Sequence, residues 1–346
     1  MLRHGTEGCV ARVRHPVPPA AGYEVGVFRP PGVSDFFGRA LQLAERGRGK
    51  VGRHPLVGAV VVSEAQIVGE GWYEYERIEH AESVALGLAG GRARGADLYV
   101  TLEPCSHYGR TPPCVDAILA AGVRRVVIGA LDPNPVAAGG AAQLRAAGVE
   151  VEVLDSFEAR QQNEAWRTWK ELARPFVTYK VAISLDGRVV VPGRRWVSGE
   201  ESRRLVHELR AASDAVAVGM GTVRADAPRL DARHVPVRVQ PRRLAFGGGP
   251  LPAKSTLELR SGPLGEELRE LAVEGVMSIL LEGGPTVGCA FLEEGLVDKL
   301  LVFVAPVLAG GGPRFVEQLS APVELLYVRA SSVGPDVLIE GYIHAP

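Results

Sequence analysis

The apolar positions of the chain follow two spacings, one typical of buried strands and the other of helices with one buried face. Residues 35–46 show the helical spacing, and Asp35 before them is a suitable N-cap. The apolar stripe of this helix consists of Phe36, Phe37, Ala40, Leu41 and Ala44. Residues 56–62 form a β-branched run, which predicts a buried strand.

Helices and strands alternate through the rest of the first half. The predicted elements are a hairpin partner at 67–69, helices at 80–88, 114–121 and 140–147, and strands at 97–102, 125–128 and 149–153. Such alternation predicts an α/β/α sandwich in which ligands bind at the C-terminal ends of strands.

The second half continues the alternation after a connecting helix at 156–173, with Arg174 and Pro175 as a boundary. Its predicted strands are 176–184, 215–219, 278–285 leading into a Gly loop, 300–304, 325–328 and 337–343, and its predicted helices are 200–212, 264–274 and one ending at Glu294. The predicted organisation is a poorly ordered extension at 1–34, a first domain at 35–154, a connecting helix at 155–174 and a second domain at 175–346.

Composition limits the possible functions. The chain has 346 residues, enough for two domains, and its net charge of −1 argues against a nucleic-acid surface. No apolar run is long enough to span a bilayer, and residues 1–34 lack the apolar core of a signal peptide. Four cysteines do not make a disulfide framework, so a reducing cytoplasm is the expected compartment.

Candidate chemistry is concentrated at His80, Cys105 and Cys114, one imidazole and two possible thiolates. This ligand set suits Zn²⁺, and three protein ligands leave a fourth position for water, as in catalytic sites. Glu82 is the carboxylate expected to move protons at that water. Because positions i and i+2 do not face each other on a helix, His80 and Glu82 can share a centre only at a helix start.

Each piece alone also fits a structural role. His-Ala-Glu is often a solvated helix start, and two cysteines around a Pro-rich loop are often ordinary core residues. Together, in this order after an apolar strand, they match the zinc nucleobase deaminase pattern of His-x-Glu followed by Pro-Cys and a second Cys.

The stretch from Tyr99 to Cys114, YVTLEPCSHYGRTPPC, has eight residues between its cysteines. It closely resembles the deaminase half of the bifunctional riboflavin-biosynthesis family RibD. The resemblance implies a cytidine-deaminase-like α/β/α sandwich followed by a dihydrofolate-reductase-like α/β domain. It also implies zinc-dependent deamination of a phosphoribosylated diaminopyrimidinone, followed by NADPH-dependent reduction of its ribosyl group to ribityl.

The resemblance assigns roles in the deaminase pocket by position. Asp132 and Asn134 in an Asp-Pro-Asn-Pro turn are expected to shape it, His107 to line it, and Arg110 to meet the substrate phosphate. A solvent-exposed loop arginine is the alternative for Arg110.

Three positions near the expected pocket depart from the family. The family has Asn where this chain has His54, His where it has Tyr73, and Gly where it has Arg77. His54 and Tyr73 are therefore expected in the substrate site with altered chemistry, which implies weakened activity or a shifted pyrimidine substrate.

The second half matches the reductase half of the family motif by motif. Lys180, Asp226 and Arg233 fall on substrate positions, and a surface arginine is the alternative for Arg233. The cofactor positions are Trp196, Ser198, Thr222, Glu282, Gly283 and Gly284. About one strand–helix unit is missing between Pro250 and the helix near Leu264, on the side where NADPH is expected, so the second domain is a shortened one.

Two other functions remain open from the sequence. One is a nucleic-acid deaminase, such as a tRNA adenosine editor, which shares the zinc chemistry and leaves the second half unexplained. The other is a relative with only one active half, the other half serving as a scaffold. The expected partners are a small phosphoribosyl pyrimidine and further copies of the chain, with no nucleic acid and no membrane.

Overall fold

The computed structural model describes residues 35–346, and the predicted extension at 1–34 lies outside the described residues. The first half contains α1 (Asp35–Glu45), β1 (Gly58–Ser63), β2 (Gln66–Trp72), α2 (Ala81–Ala89), β3 (Asp97–Leu102), α3 (Cys114–Ala121), β4 (Arg125–Ala130), α4 (Gly140–Ala146) and β5 (Glu150–Val153). Every helix and strand predicted here is present, displaced at its ends by a few residues.

These strands form one sheet in the order β2-β1-β3-β4-β5. β1 runs antiparallel to β2 and β3, whereas β3, β4 and β5 are parallel. One face packs against apolar residues of α2, α3 and α4, including Ala85, Ile118 and Leu144. The other packs against α1 through Phe37 and Leu43. The predicted α/β/α sandwich is therefore confirmed.

The second half begins with α5 (Phe157–Gln162) and α6 (Glu164–Leu172). It continues with β6 (Phe176–Ser184), α7 (Glu200–Ala212), β7 (Ala215–Gly219), α8 (Met220–Asp226), β8 (Arg242–Phe246), β9 (Glu258–Arg260), α9 (Leu264–Val273), β10 (Ser278–Leu281), α10 (Pro285–Glu293), β11 (Lys299–Ala305), β12 (Leu326–Val333) and β13 (Asp336–Tyr342). Its sheet has the order β12-β13-β11-β6-β10-β7-β8-β9. β6 pairs in parallel with β10 and β11, so their C-terminal ends share one edge.

The prediction of a single connecting helix was wrong. Asn163 breaks it into α5 and α6, with backbone angles of φ −114° and ψ 17°. The Asn163 side chain accepts from the Leu56 N–H at 2.7 Å and donates to the Leu56 carbonyl at 2.9 Å. The Asn163 side chain bonds the backbone just before β1, which is far away in the sequence. The interruption of the helix therefore depends on a tertiary contact, and the helical periodicity does not reveal it.

The region between β8 and α9 differs from the prediction in detail. A three-residue strand, β9, pairs in parallel with β8, so a short strand is present where the sequence predicted a missing strand–helix unit. Residues 247–257 connect the two strands without helix. The sequence did not predict the helix α8, because its seven residues are too few to show a helical period. None of the helices in residues 35–346 has the length and apolar character to cross a membrane.

A buried ion pair fixes the start of the second sheet. Both carboxylate oxygens of Asp298 accept from Arg174 at 2.7 Å, and Oδ2 also accepts from the Val177 N–H at 2.8 Å. Burial alone would raise the pKa of Asp298, but the hydrogen bonds from Arg174 and His344 hold it below its ordinary value.

We expect Asp298→Asn to lower the free energy of unfolding by about 3–5 kcal/mol at pH 7, because the Arg174 charge stays buried without its partner. Since folding depresses the pKa of Asp298, its contribution is complete above the ordinary pKa of about 3.9 and is lost as pH falls through the folded-state value. Denaturant titrations should therefore show the difference in unfolding free energy between variant and wild type shrinking below about pH 4.

Glu208→Gln, in an exposed helical ion pair with Arg204, is the control and should change the free energy of unfolding by at most about 0.5 kcal/mol. An equal loss in both variants would contradict the role of the buried pair.

Candidate functional site

Three possible metal ligands meet at one edge of the first sheet. The Nδ1 of His80 lies 3.1 Å from the Cys114 sulfur and 3.4 Å from the Cys105 sulfur. All three ligand atoms lie within 4.8 Å of one another. Ligands bound tetrahedrally to one zinc ion at about 2.1–2.3 Å lie roughly 3.6 Å apart, so these side chains fit a common zinc centre.

Local structure explains how the ligands reach this centre. His80 is the N-cap residue of α2, and its side chain makes no capping hydrogen bond. α2 lies against β2 at Gly71, where a Cβ atom would overlap the Ala81 carbonyl. Cys105 follows β3, and Cys114 is the first residue of α3. The predicted helix starts at His80 and Cys114 are therefore confirmed.

The two sulfur atoms have different proton affinities. Hydrogen bonds from the Cys114 thiol, from His80 and from the Cys114 N–H hold the pKa of Cys105 well below its ordinary value, against the effect of burial. The pKa of Cys114 is raised, because its thiol donates to Cys105 and is itself buried. A cation at the common centre would displace the shared proton, since metal ligands of this type bind as thiolates.

Glu82 lies beside this centre and is only 3% exposed. Burial raises the pKa of its carboxyl group to about 6. A carboxyl group with such a pKa can both accept and release a proton near neutral pH, as general acid–base catalysis requires.

Aromatic rings and one guanidinium surround the approach to His80. The centroid of the Tyr73 ring lies 5.8 Å from that of His80, and His54 lies 5.5 Å from both Tyr73 and Tyr75. Arg110 lies 5.2 Å above the Tyr75 ring. The structure therefore brings the predicted residues His54, Tyr73 and Arg110 together, and adds Tyr75, which the sequence did not single out.

Among residues 35–346, Arg110 has its ring contact with Tyr75 and no ion pair with a carboxylate. An exposed guanidinium stacked on an aromatic ring keeps its N–H groups available for an anion. His107 lies in the loop between Cys105 and Cys114, and its buried Nδ1 has no hydrogen-bond partner among the described residues. Its place in the pocket stays a prediction.

Glu103 holds the loop that carries Asp132 and Asn134. Its carboxylate accepts from the N–H groups of Asp132 at 3.1 Å, Gly139 at 3.1 Å and Ala141 at 2.9 Å. Burial raises the pKa of Asp132 to about 6, and its Oδ1 accepts from the Asn134 N–H at 2.8 Å. Sequence reasoning assigned no role to Glu103, although a charged residue directly after a buried strand is a usable signal.

A second polar cluster lies at the C-terminal edge of the second sheet. Glu282, after β10, accepts from Arg210 of α7 at 2.6 and 2.9 Å, and Lys180 of β6 lies 3.9 Å from the same carboxylate. Burial lowers the pKa of Lys180. Burial would raise the pKa of Glu282, but the hydrogen bond from Arg210 and the Lys180 charge hold it below its ordinary value. Arg210 was not predicted, because a single arginine on an amphipathic helix resembles a surface residue.

Two glycine turns lie next to this cluster. The turns after β7 and β10 are in contact: a Cβ atom on Gly283 would lie 3.6 Å from the Gly219 nitrogen, and one on Gly284 would lie 3.6 Å from the Thr222 hydroxyl. Thr222, Gly283 and Gly284 are thus near each other. Both oxygens of Glu282, predicted to bind the cofactor, are bonded by Arg210, and its cofactor role stays a prediction.

The remaining predicted residues are distributed around the second sheet. Arg233 pairs with Asp231 at 2.6 Å, and the Asp231 carbonyl accepts from Arg210 at 3.1 Å, so Arg233 adjoins the cluster. Trp196 is 51% exposed and lies under Arg195 and Arg203. Ser198, predicted to bind the cofactor, accepts a hydrogen bond from Arg203 through its backbone carbonyl. Asp226, predicted to bind the substrate, is exposed at the end of α8.

Comparison with known proteins gives the same two halves. Residues 33–130 match the cytidine and deoxycytidylate deaminase zinc-binding region, and residues 175–248 and 259–339 match the RibD C-terminal domain. The riboflavin biosynthesis protein RibD of Aquifex aeolicus is 38% identical over 340 residues, covering 87% of this chain and 95% of the relative. That of Mycobacterium tuberculosis is 38% identical over 328 residues, covering 89% and 96%.

Solved structures agree with this result. Acinetobacter baumannii RibD has a TM-score of 0.77 at 33% identity, covering 89% of this chain and 98% of that one. A deaminase/reductase from Thermotoga maritima has a TM-score of 0.74 at 32% identity, covering 89% and 97%. The resemblance and the fold class inferred from the sequence are confirmed. The chain therefore belongs to the RibD family of bifunctional riboflavin-biosynthesis enzymes, which join a zinc-dependent deaminase to an NADPH-dependent reductase.

Proposed function

We propose that the chain deaminates 2,5-diamino-6-(5-phosphoribosylamino)pyrimidin-4-one and then reduces the ribosyl group of the product to ribityl. Residues 35–154 would carry the first reaction and residues 175–346 the second. The observation that carries the proposal is the convergence of His80, Cys105 and Cys114 beside the buried Glu82. The Thermotoga maritima relative, described as a diaminohydroxyphosphoribosylaminopyrimidine deaminase and 5-amino-6-(5-phosphoribosylamino)uracil reductase, supports the substrate.

Glu82 performs the proton transfers of the proposed deamination. Zinc held by His80 and the two cysteines would lower the pKa of a water molecule at its fourth position. Glu82 takes a proton from that water and delivers it to a ring nitrogen, while the water oxygen bonds to the amino-bearing carbon. Glu82 then takes the second proton from the added hydroxyl group and passes it to the amino group, which departs as ammonia while the carbonyl forms.

The walls described above bind the substrate in this proposal. Arg110 binds the phosphate, since its guanidinium has no carboxylate partner among the described residues and is suited to bidentate contacts. His107 and its unpaired Nδ1 are proposed to line the pocket, and Asp132 and Asn134, on the loop that Glu103 holds, are proposed to shape it. His54 and Tyr73 stand where the family has Asn and His, so they adjust the fit of the pyrimidine.

The second half supplies a polar site for the ribosyl group. NADPH, when bound, supplies hydride for C1′ of the ring-opened sugar. Lys180 and Asp226 are the proposed polar partners of the reacting group, and Arg233 contacts the phosphate. Thr222, Gly283 and Gly284 line the proposed cofactor site, together with Trp196, Ser198 and Glu282. The glycine turn after β10 leads into the N-terminus of α10, and helix N-termini bind phosphate through their free backbone N–H groups.

One observation favours a second candidate, in which only the deaminase half is active. Residues 247–257 pass between β8 and β9 without a helix, on the side proposed for the cofactor. In that case the second half acts as a scaffold for the first.

Separate assays of the two half-reactions test both candidates. Purified, zinc-loaded protein is incubated with the phosphoribosyl diaminopyrimidinone, and ammonia release and NADPH oxidation are followed independently. We expect ammonia release without NADPH, and NADPH oxidation only after deamination. Ammonia release without NADPH oxidation would establish the scaffold candidate. Absence of ammonia release from zinc-loaded protein would refute the proposed deaminase function.

We further propose that the chain forms homo-oligomers in a reducing cytoplasm. β12 is an edge strand of the second sheet, exposed along its length apart from Val333, and it presents Leu326 and Val328 to solvent. Long apolar edge strands pair readily with another chain. Light scattering at micromolar concentration should give a molar mass that is a multiple of 36.8 kDa. Val328→Lys should lower this molar mass. Val273→Lys, on the exposed face of α9, is the control and should leave it unchanged. A monomeric wild type would contradict this.

A further inference from the structure

The segment of residues 49–54, between α1 and β1, carries one wall of the deaminase pocket. His54 at its end packs on Tyr73 and Tyr75 beside the metal centre. Pro55 follows and restricts the His54 backbone to extended conformations. The position of the His54 ring in the pocket therefore depends on where the segment places its backbone.

Within the first half, this segment is held at its beginning. Val51 is buried against Ala44, Leu56 and Tyr73, and Lys50 pairs with Glu74 at 2.9 Å. The His54 N–H donates to the Val51 carbonyl at 3.2 Å, and the Lys50 carbonyl accepts from Tyr75 at 3.1 Å. Gly52, at φ +62°, adds a flexible link immediately before Arg53. The Asn163 hydrogen bonds to Leu56 fix the chain only after His54.

The second half holds the segment at two points. Arg53 Nη2 donates to the Glu274 carbonyl at 3.4 Å, and its guanidinium lies against the bare Cα of Gly275. Arg238 donates to the Gly49 carbonyl. These contacts border a cleft of about 680 Å³ between the two halves.

The Arg53 contact requires glycine at position 275. A Cβ atom there would overlap both terminal nitrogens of Arg53. Since the hydrogen bond to Glu274 is long, this close packing is the larger part of the contact. The Arg53 guanidinium is the far end of a flexible side chain, so a methyl group at 275 would move it rather than break the fold.

We propose that Arg53, held against Gly275 of the reductase half, is a positioning residue for the deaminase pocket and acts through His54. The inference rests on the proposed deaminase function. Glu82 and the metal ligands are held by α2, β3 and α3, which do not depend on Arg53. Loss of the contact therefore weakens substrate binding and leaves the chemical step largely intact.

Gly275→Ala tests the contact from the reductase half, where no deaminase residue is changed. We expect the KM for deamination to rise about 3- to 30-fold with kcat within about twofold, and the KM of the reductase to stay unchanged. Gly295→Ala is the matched control: it also follows a helix at positive φ, +64° against +89°, but has no atom within 4 Å of the added Cβ. Both variants carry backbone strain, and only Gly275→Ala displaces Arg53.

Equal deaminase KM values in Gly275→Ala and Gly295→Ala would overturn the proposal. The wild type is assayed first, so a failure of the proposed function appears as absent ammonia release in every protein. A failure of the positioning role appears as unchanged KM in an active enzyme.

Variants of Arg53 give an independent test that does not depend on strain at position 275. Arg53→Ala should raise the deaminase KM as Gly275→Ala does, and the double variant should show no further increase, because both changes remove one contact. Arg53→Lys keeps a donor for the Glu274 carbonyl and should fall between Arg53→Ala and wild type. Additive effects in the double variant, or an unchanged KM in Arg53→Ala, would also overturn the proposal.

Discussion

Replacing Glu82 by glutamine is expected to lower kcat for ammonia release by about 10²- to 10⁴-fold while zinc stays bound. Glutamine has nearly the same shape and volume as glutamate, so the buried site keeps its packing. Its amide group neither takes up nor releases a proton near neutral pH. The proton transfers to the ring nitrogen and to the leaving amino group therefore lose the residue that carries them out. Ammonia release is measured together with zinc content by elemental analysis.

Glu79→Gln is the control for this experiment. Glu79 is exposed and lies directly before His80, so its replacement changes the charge near the centre without changing the proposed proton carrier. We expect activity within about twofold of wild type, since exposed charges interact weakly through water. Wild-type turnover in Glu82→Gln, or zinc loss equal to its loss of activity, would contradict the assigned role.

Replacing Lys180 by methionine is expected to reduce kcat/KM of the reductase by about 10²- to 10³-fold and to leave ammonia release unchanged. Lys180 is the buried cation of the second cluster, placed to interact with charge that develops at the ribosyl group. Methionine keeps the apolar stem, and Glu282 keeps both hydrogen bonds from Arg210, so the cluster stays paired. The assay follows NADPH oxidation with the separately prepared deaminated substrate.

Lys170→Met removes an exposed ammonium from α6, outside the second cluster and the proposed cofactor site, and serves as the control. It should leave reductase activity within about twofold of wild type, since the side chain is solvated. Undiminished NADPH oxidation in Lys180→Met would contradict a role for Lys180 at the reacting group. Loss of ammonia release in the same variant would show that the change disturbs more than the second site.

The first sheet was largely predictable because its signals are local. The β-branched run before Ser63 and the apolar run from Asp97 to Leu102 each gave a strand. His80 and Cys114 indicated the starts of two helices, because His-x-Glu and Pro-Pro-Cys are residue orders suited to helix N-termini. The same motifs led to the family and to zinc and NADPH as cofactors, which the comparisons confirm.

Residues that act across long sequence distances were not predictable. Tyr75 joins His54 and Arg110 through ring contacts, and Arg210 reaches Glu282 from a different element. Asn163 breaks a helix in order to bond Leu56. In each case the partner lies on another segment, so no local spacing records the interaction.

The sequence by itself determined the alternation of strands and helices, the set of zinc ligands and the family, because hydrophobic period and ligand type are properties of short stretches. Only the tertiary structure decided which polar groups face each other, how the connecting helix divides, and that the reductase half touches the His54 segment at Arg53. These features depend on surfaces brought together by packing of two separate cores, and burial then sets their pKa values and hydrogen bonds.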